Sequence, residues 1–561
     1  MNLKQIIKED IYNILKDHLT MEEVLVENPK DRKMADFAIP CFAMSKVLRK
    51  SPNDIANMIK DGLDNVIYEK IDVVNGYLNI FLNKQMVSKY IIEKILKEKD
   101  SYGSNNIGDN KVIVMDYSSP NIAKPFGVGH LRSTVIGNAI KNISIKNGYQ
   151  VVSINHLGDW GTQFGKLIYA YNNWGNEDLV RQNPIDELKN LYVRFHKEAE
   201  TNPELEEEGR KCFKKLEDGD FESLKIWEWF KEESLKEFTK TYDLLGINKF
   251  DSYNGEAFYN DKMDTVISEL ETKNLLEFSD GAYVVRLTDD MPPALIKRSD
   301  GASLYITRDL AAAFYRKKNY DFEEALYVVG NEQTLHFTQL KNVLSKMGYP
   351  WSDDIKHISF GMILQNGKKM STRQGKSVKL HDVLVEAIEL ANKYIEERSP
   401  ELENAEEVGR QIGVGAVIFN DLKNYRTSDI EFNLEDILKF EGETGPYIQY
   451  TYARINSLLK HKQNKNFDYS DVEINEYTWN LIFKMYSFPE IIIRAKEKYD
   501  PSEIAKYIID LAAIFNKFYA NEKIISEDEK TTNFRLTVCE IVAILLKEGM
   551  RLLGIEAPNK M

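Results

Sequence analysis

The sequence is poor in cysteine, in long apolar runs and in net basic charge, and each shortage removes a class of protein. Three cysteines, Cys41, Cys212 and Cys539, stand far apart and form no CxxC pair. They offer no disulfide framework and point to a reduced, cytoplasmic setting. The eight histidines contain no HExxH pattern, so no structural metal is expected. No segment approaches the roughly 20 apolar residues that span a bilayer. The N-terminal stretch MNLKQIIKEDIYNILKDHL is charged and amphipathic and lacks the apolar core of a signal peptide. A soluble intracellular protein with no membrane partner is therefore expected. The formal net charge of −14 argues against wholesale coating of nucleic acid, yet leaves room for a local basic groove.

What is present is the mix of an ordinary globular protein, with 43% hydrophobic and 29% charged residues. At 561 residues the chain exceeds what one core supports, so three or four domains are expected. Residues 1–105 read as an α+β unit with a strand in NGYLNIFLN (75–83), closed by the linker SYGSNNIGDN. The run KVIVMDY has the length and continuous apolarity of a parallel strand buried on both faces. A helical segment and the strand-like YQVVSIN follow it, which makes a βαβ unit of a doubly wound fold. Charged helical sequence over about 175–280 reads as a solvated insertion. AYVVRL, SLYITRDL (after an Asp300-Gly301 turn), EEALYVVG and HISFGMIL read as further strands. A catalytic domain over 106–390 would thus be followed by an all-α region over 391–561. There Ile504, Ile508, Leu511, Phe515 and Phe518 mark one face of a bundle helix.

Two segments carry chemistry. SSPNIAKPFGVGHLRST (118–134) begins just after the first parallel strand, but Arg132 stands where a dinucleotide fingerprint needs its third glycine. What remains is a glycine pair followed by His130 at a helix start, where free N–H groups suit phosphate. His130 could add a hydrogen bond or a proton-bearing cation, and Lys124 a second positive charge. Taken alone, Gly127 and Gly129 could equally shape a turn that His130 caps. The second segment, NGKKMSTRQGKS (366–377), is a glycine-bounded basic loop, a composition that by itself fits a solvated turn.

Together the two segments resemble the HIGH and KMSKS signatures of class I aminoacyl-tRNA synthetases. NHLGDWGTQFGKL (155–167), LYITRDLAAA (304–313), VVGNEQTLHFTQL (329–341), GMILQNGKKMSTRQG (361–375), EGETGPYIQYTYARI (441–455) and the ending LLGIEAPNKM resemble the arginyl-tRNA synthetases, in order along the chain. The resemblance runs from about residue 35 to 561. It implies an α/β Rossmann-type catalytic domain with a helical insertion, an N-terminal α+β domain that contacts tRNA, and a C-terminal all-α anticodon-binding bundle. It further implies that arginine is activated with ATP and passed to the 3′ end of tRNA(Arg), with Mg²⁺ accompanying the nucleotide and the chain acting as a monomer. Dependence of the activation step on tRNA is a family expectation. A class I synthetase for another amino acid, a small nucleotidyltransferase or a non-catalytic tRNA-binding paralogue are the competing readings.

By the same resemblance His130, Lys124 and Lys369 act on the phosphates, and Gly127, Gly129, Met362, Met370 and Ser371 join them around ATP. Asp309 and Tyr305 take the guanidinium, Gln333 another part of the arginine, and Asp116 and Asn121 its α-amino and carboxylate end. Tyr447, Tyr450 and Met561 meet tRNA, whose unpaired bases are read by stacking and edge hydrogen bonds. His156, Asp159, Trp160 and Gln163 support the site. The chain departs from the pattern twice. Gly127 stands where HxGH has its first histidine, and Thr372 replaces the second lysine of KMSKS, a change for which the family's lysine at the position of Lys124 substitutes.

Overall fold

In the computed structural model the described residues are 2–29, 32–288, 290–298, 305–370, 372–373, 376–462 and 472–561, with side chains at all but 305, 372–373 and 376–377. They form two compact units, residues 1–102 with 458–487 and 513–544, and residues 103–457 with 488–512 and 545–561.

In the first unit the expected NGYLNIFLN strand is Tyr77–Leu82, the middle of a three-stranded antiparallel sheet between Phe37–Pro40 and Tyr68–Val74. Its alternate residues Leu78, Ile80 and Leu82 are buried, the period-2 pattern of a strand with one face on a core. The helix Leu3–Leu15 buries Leu3, Ile7, Ile11 and Leu15, one residue per turn, and Asn2 caps it by accepting from the Gln5 N–H at 3.2 Å. The helix Glu476–Tyr486 completes the core, with Trp479 Nε1 donating to Asp36 at 2.8 Å.

The second unit is built on a parallel sheet in the order Ile355–His357, Glu324–Tyr327, Val112–Asp116, Gln150–Ile154. The Val112–Asp116 strand has a parallel neighbour on each side and helices above and below, which is why KVIVMDY is apolar without alternation. The crossover helix His130–Lys146 joins it to Gln150–Ile154 as the βαβ unit requires. Asp116 lies in register with Ile154 and Tyr327, so the carboxyl ends of three strands meet at one edge, where open α/β sheets bind ligands.

Three sequence readings change on the structure, and a fourth, AYVVRL, keeps its strand. The strand expected at SLYITRDL is not found over its described residues: Tyr305–Tyr320 is a helix that buries Ile306, Leu310 and Ala313 at helical spacing, while Ser303 and Leu304 lie outside the described residues. The Asp300-Gly301 turn lies outside the described residues. HISFGMIL splits into Ile355–His357 on the parallel sheet and Ile363–Gln365 on a second small sheet with Lys368–Lys369 and Ile430–Glu431. Gly361 makes the break, since a Cβ there would lie 2.6 Å from the Ser428 carbonyl oxygen. AYVVRL yields the strand Ala282–Val285, but in a separate antiparallel sheet with Glu277–Ser279 and Ala294–Arg298. The insertion is helical over Glu177–Gln182, Pro184–Thr201, Glu204–Glu217 and Phe221–Leu244, yet only part of it is a solvated face. Phe221–Leu244 buries Trp227, Phe230, Phe238 and Tyr242, the last two against Phe126 of the GxGH loop.

From Leu380 onward helices dominate, and Ile504, Ile508, Leu511, Phe515 and Phe518 are all fully buried as the spacing predicts. Among the described residues no helix is long and apolar enough to cross a membrane.

Candidate active site

The loop after the Val112–Asp116 strand is held in an uncommon conformation. Ser118, Ser119 and Ala123 have φ of 73°, 48° and 57°, left-handed values that cost non-glycine residues roughly 1–3 kcal/mol each. Side chains from two helices, His130–Lys146 and Phe221–Leu244, enforce it. The Ser118 N–H donates to Ser133 Oγ at 2.9 Å, Ser118 Oγ shares a 2.7 Å hydrogen bond with Tyr242 OH, and the Ala123 N–H donates to Ser234 Oγ at 2.9 Å. A fourth clamp, Ile122 N–H to Gly158 O at 3.2 Å, lies where only a glycine fits, because a Cβ on Gly158 would sit 2.2 Å from Asn121 Oδ1. Asn121 is thereby placed beside Gly158, at the carboxyl edge of the sheet.

The two signature segments are joined through backbone. Val128 N–H donates to Val378 O at 3.0 Å and Leu380 N–H to Phe126 O at 2.9 Å, so the GxGH segment pairs antiparallel with the exit of the basic loop. Gly127 lies in this ladder with room to spare: a Cβ would make only an ordinary 3.4 Å contact with Val378 O. A Cβ on Gly129 would meet nothing within 4 Å, which leaves open space in front of the helix start. His130 packs on Phe126 with ring centroids 5.3 Å apart, and its Nδ1 lies 3.3 Å from Gly127 O. Burial holds its pKa below the ordinary 6.5 against that hydrogen bond, so the ring is neutral near pH 7. Of the two roles open to His130, the hydrogen-bonding one fits and the cationic one does not. Lys124 is exposed on the same loop.

Facing Gly129 is a small cleft of about 90 Å³ that Met362, Lys369 and Met370 also line. Met362 is pinned by its backbone, donating to Asp429 Oδ1 at 2.7 Å and accepting from the Ile430 N–H at 2.9 Å, while its side chain is 40% exposed. Met370 is buried and ties the loop down through its N–H to Ile363 O at 2.9 Å. Lys369 is exposed, with Nζ 4.0 Å from Glu332. Ser371 lies outside the described residues. Behind the cleft Arg132 forms a buried pair with Asp421 at 3.1 Å and donates to Ser428 O at 2.8 Å. Burial raises the Asp421 pKa although Arg132 opposes the shift. Arg132, Asp421 and Asp429 thus brace the cleft. Nothing in the sequence paired them, since Arg132 and Asp421 are 289 positions apart.

At the sheet edge Asp116 is already engaged. Its Oδ2 accepts from Arg316 at 2.7 Å and its Oδ1 from Ser119 at 2.9 Å, and 9% of its side chain is exposed. Burial works against the Arg316 charge, but Tyr327 and Asp116 more than offset it and hold its pKa well above the ordinary value. Asp309 is more open, with 24% of its side chain exposed, and its Oδ2 lies 2.5 Å from His336 Nε2. Burial alone would raise its pKa, yet the His336 hydrogen bond, with His156 and Arg316 beyond it, brings it below the usual carboxylate value. His156 stacks on Tyr259, and burial lowers its pKa. Glu256, 3.6 Å from Arg308, is pushed up to about 7 by burial. Gln333 is exposed at the N-cap of the helix Thr334–Lys346. The Tyr305 side chain lies outside the described residues. Asp159 and Trp160 have supporting roles: buried Asp159 accepts from Lys231 at 2.7 Å, and Trp160 packs edge-on against Trp227.

Of the three residues expected at tRNA, Tyr450 is 39% exposed beneath the Arg454 guanidinium at 4.8 Å, while Tyr447 and Met561 are half-buried. In the first unit a cavity of about 690 Å³ gathers Arg32, Lys33, Lys84, Lys484 and Lys517 against Asp36 and Glu476, with Tyr477 44% exposed.

A loop held in a strained conformation, a GxGH helix start joined to the exit of a basic loop, and Asp116 at the end of a parallel strand fit a class I aminoacyl-tRNA synthetase. The family model "tRNA synthetases class I (R), catalytic domain" matches residues 91–434, "Arginyl tRNA synthetase N terminal domain" residues 1–82, and "DALR anticodon binding domain" residues 448–561. The Enterococcus faecalis protein named "Arginine--tRNA ligase" is 53% identical, with 100% of each chain covered. That of an Exiguobacterium species, of the same name, is 53% identical over 99% of each. Within the class, the chain belongs to the arginyl-tRNA synthetase family. Its fold is shared with the Thermus thermophilus arginyl-tRNA synthetase (TM-score 0.83, 24% identity, 100% of each chain). The Plasmodium falciparum arginyl-tRNA synthetase also matches (TM-score 0.80, 26% identity, 100% of this chain and 98% of that one).

Proposed function

We propose that this chain is an arginine–tRNA ligase. The observation that carries the reading is the Asp309 carboxylate, which the His336 hydrogen bond holds below the usual carboxylate pKa and so ionised. A guanidinium selects for such an acceptor, because its planar N–H fork matches a carboxylate. Asp309 takes it, with Tyr305 and Gln333 beside it. Asn121 holds the α-amino and carboxylate end, and Asp116, locked on Arg316, shapes that end of the pocket.

The arginine carboxylate oxygen attacks the α-phosphorus of ATP and pyrophosphate departs, leaving arginyl-adenylate. The terminal adenosine hydroxyl of tRNA(Arg) then attacks the acyl carbon, and AMP leaves. The substrate itself is the nucleophile, so the protein acts by positioning and by stabilising phosphate charge. Lys124 and Lys369 supply the positive charge, neutral His130 a hydrogen-bonding ring, and Gly127 and Gly129 the space for backbone approach. Met362, Met370 and Ser371 border the adenosine. Mg²⁺ arrives with the nucleotide as part of the substrate and neutralises the pyrophosphate.

Residues 1–105 contact tRNA, residues 106–390 catalyse, and residues 391–561 bind the anticodon. The basic cavity of the first unit supports the tRNA role, and exposed Tyr450 offers a stacking face. Tyr447 and Met561 belong to the same tRNA-facing region. The enzyme works as a cytoplasmic monomer. A synthetase for another amino acid is disfavoured by whole-length relatives named arginine–tRNA ligase, and a non-catalytic paralogue by the retention of His130, Asp309 and Lys369. The test is charging of tRNA(Arg) with labelled arginine and ATP. Arginyl-tRNA should accumulate, and its absence with a correctly folded chain refutes the reading.

A further inference from the structure

The carboxylate proposed to select the guanidinium does not stand free. Asp309 Oδ2 lies 2.5 Å from His336 Nε2, a residue of the adjacent helix Thr334–Lys346. A carboxylate only accepts, so in the neutral ring the shared proton belongs to Nε2. Asp309 is the fifth residue of its own helix, and an aspartate's terminal torsion is broad and two-fold when nothing restrains it. The His336 hydrogen bond removes that freedom and fixes the plane of both oxygens. It occupies a single lone-pair site on Oδ2, which leaves Oδ1 and the rest of Oδ2 for a forked donor. His336 is itself braced: its ring meets Phe337 edge-on at 5.3 Å, and Phe337 stacks on His357 at 4.7 Å and packs on Tyr327 at 5.0 Å. Both partners remain partly open, with side-chain exposures of 23% and 24%, as a pair at a binding surface must be.

We infer that His336 is a positioning residue for amino-acid selection, one that presents the Asp309 carboxylate in the plane that receives the substrate's guanidinium. The inference rests on Asp309 being the guanidinium acceptor. His336 makes no other hydrogen bond or ion pair among the described residues, which separates it from the many buried groups that only hold the fold.

The test is arginine-dependent ATP–pyrophosphate exchange in the presence of tRNA(Arg), on four chains beside the wild type: His336→Ala, His336→Gln, Asp309→Asn and the Asp309→Asn/His336→Ala double variant. His336→Ala should raise the arginine KM about tenfold or more, the size of a lost hydrogen bond to a charge, while kcat at saturating arginine and the KM for ATP hold within about twofold. His336→Gln, whose amide can donate from a similar place, should recover most of the loss. In the Asp309→Asn background, removing His336 should change the arginine KM no further. If His336→Ala does not fold, His336→Leu replaces it, since leucine keeps bulk against Phe337 but has no donor. An arginine KM that stays put in His336→Ala or His336→Leu while Asp309→Asn raises it overturns the inference and spares the Asp309 reading. So does a loss confined to kcat. An unchanged KM in Asp309→Asn overturns the Asp309 reading itself, and the His336 inference with it.

Discussion

The two ends of the site are built on opposite plans. At the proposed arginine end three carboxylates have partners in place: Asp116 on Arg316 at 2.7 Å, Asp309 on His336 at 2.5 Å and Asp159 on Lys231 at 2.7 Å. At the proposed nucleotide end Lys124 and Lys369 are exposed, and Gly129 faces open space. The difference follows from the work each end does. Choosing one amino acid needs charges held in a set geometry before the substrate arrives, because selectivity comes from groups that are costly to leave unpaired. Stabilising a leaving pyrophosphate needs positive charge that meets the phosphates as they change, and hydrated lysines on exposed backbone do that.

The contrast can be broken from either side. The largest effect belongs to Asp309→Ala, which should raise the arginine KM by about 10²- to 10³-fold, the loss expected for truncating a charged partner, with the KM for ATP unchanged. A comparable rise in the ATP KM would show that the two ends are not separate. Next comes the buried pair behind the cleft. Asp421→Asn leaves the Arg132 charge without its partner at 1% exposure and should lower unfolding stability by about 3 kcal/mol in urea melts. A loss below half of that means that the pair contributes little. Lys369→Ala and Lys124→Ala should each lower kcat about 10²-fold while the arginine KM holds, the converse of the Asp309 result. A pure KM effect from either lysine would contradict the division of labour.

Smaller effects sharpen the picture. Burial lowers the pKa of His130, His156 and His357 below 6.5, so the unfolded chain binds more protons there than the native one. Stability should therefore rise with pH through this range and fall as pH drops below 6.5, by up to about 1.4 kcal/mol per pH unit for each ring. Urea midpoints that are equal at pH 7.5 and 5.5 contradict the neutral-ring assignment for His130. The smallest change is expected far from the chemistry. Lys84→Glu with Lys517→Glu in the first-unit cavity should weaken tRNA binding several-fold and flatten its salt dependence, with the arginine KM untouched.

The parts of this design that live in contiguous sequence could be read without coordinates, and the parts made by tertiary pairing could not. KVIVMDY, YQVVSIN and EEALYVVG each became a parallel strand, because burial on both faces leaves a plain apolar run. SLYITRDL misled because Leu304 and Ile306 alternate as in a strand and Ile306 and Thr307 are β-branched. The spacing of Ile306, Leu310 and Ala313 was the helical signal, and packing in the Rossmann core selected it. HISFGMIL hid a break that only the approach of the Ser428 backbone to Gly361 explains. At the site, His130 and Asp309 carry motif signatures. His336 lies inside the quoted VVGNEQTLHFTQL, three residues past Gln333, and its role appears only when two helices bring it to Asp309. Arg132 stood out merely as a missing glycine, and its buried partner sits in a different helical region.

The most direct measurement is ATP–pyrophosphate exchange run with each of the twenty amino acids in turn, with and without tRNA(Arg). Exchange with arginine alone is the result that an ionised, pre-positioned Asp309 predicts, and its dependence on tRNA is the family expectation. Exchange with a neutral amino acid at a comparable rate, or none with arginine and cognate tRNA together, contradicts it.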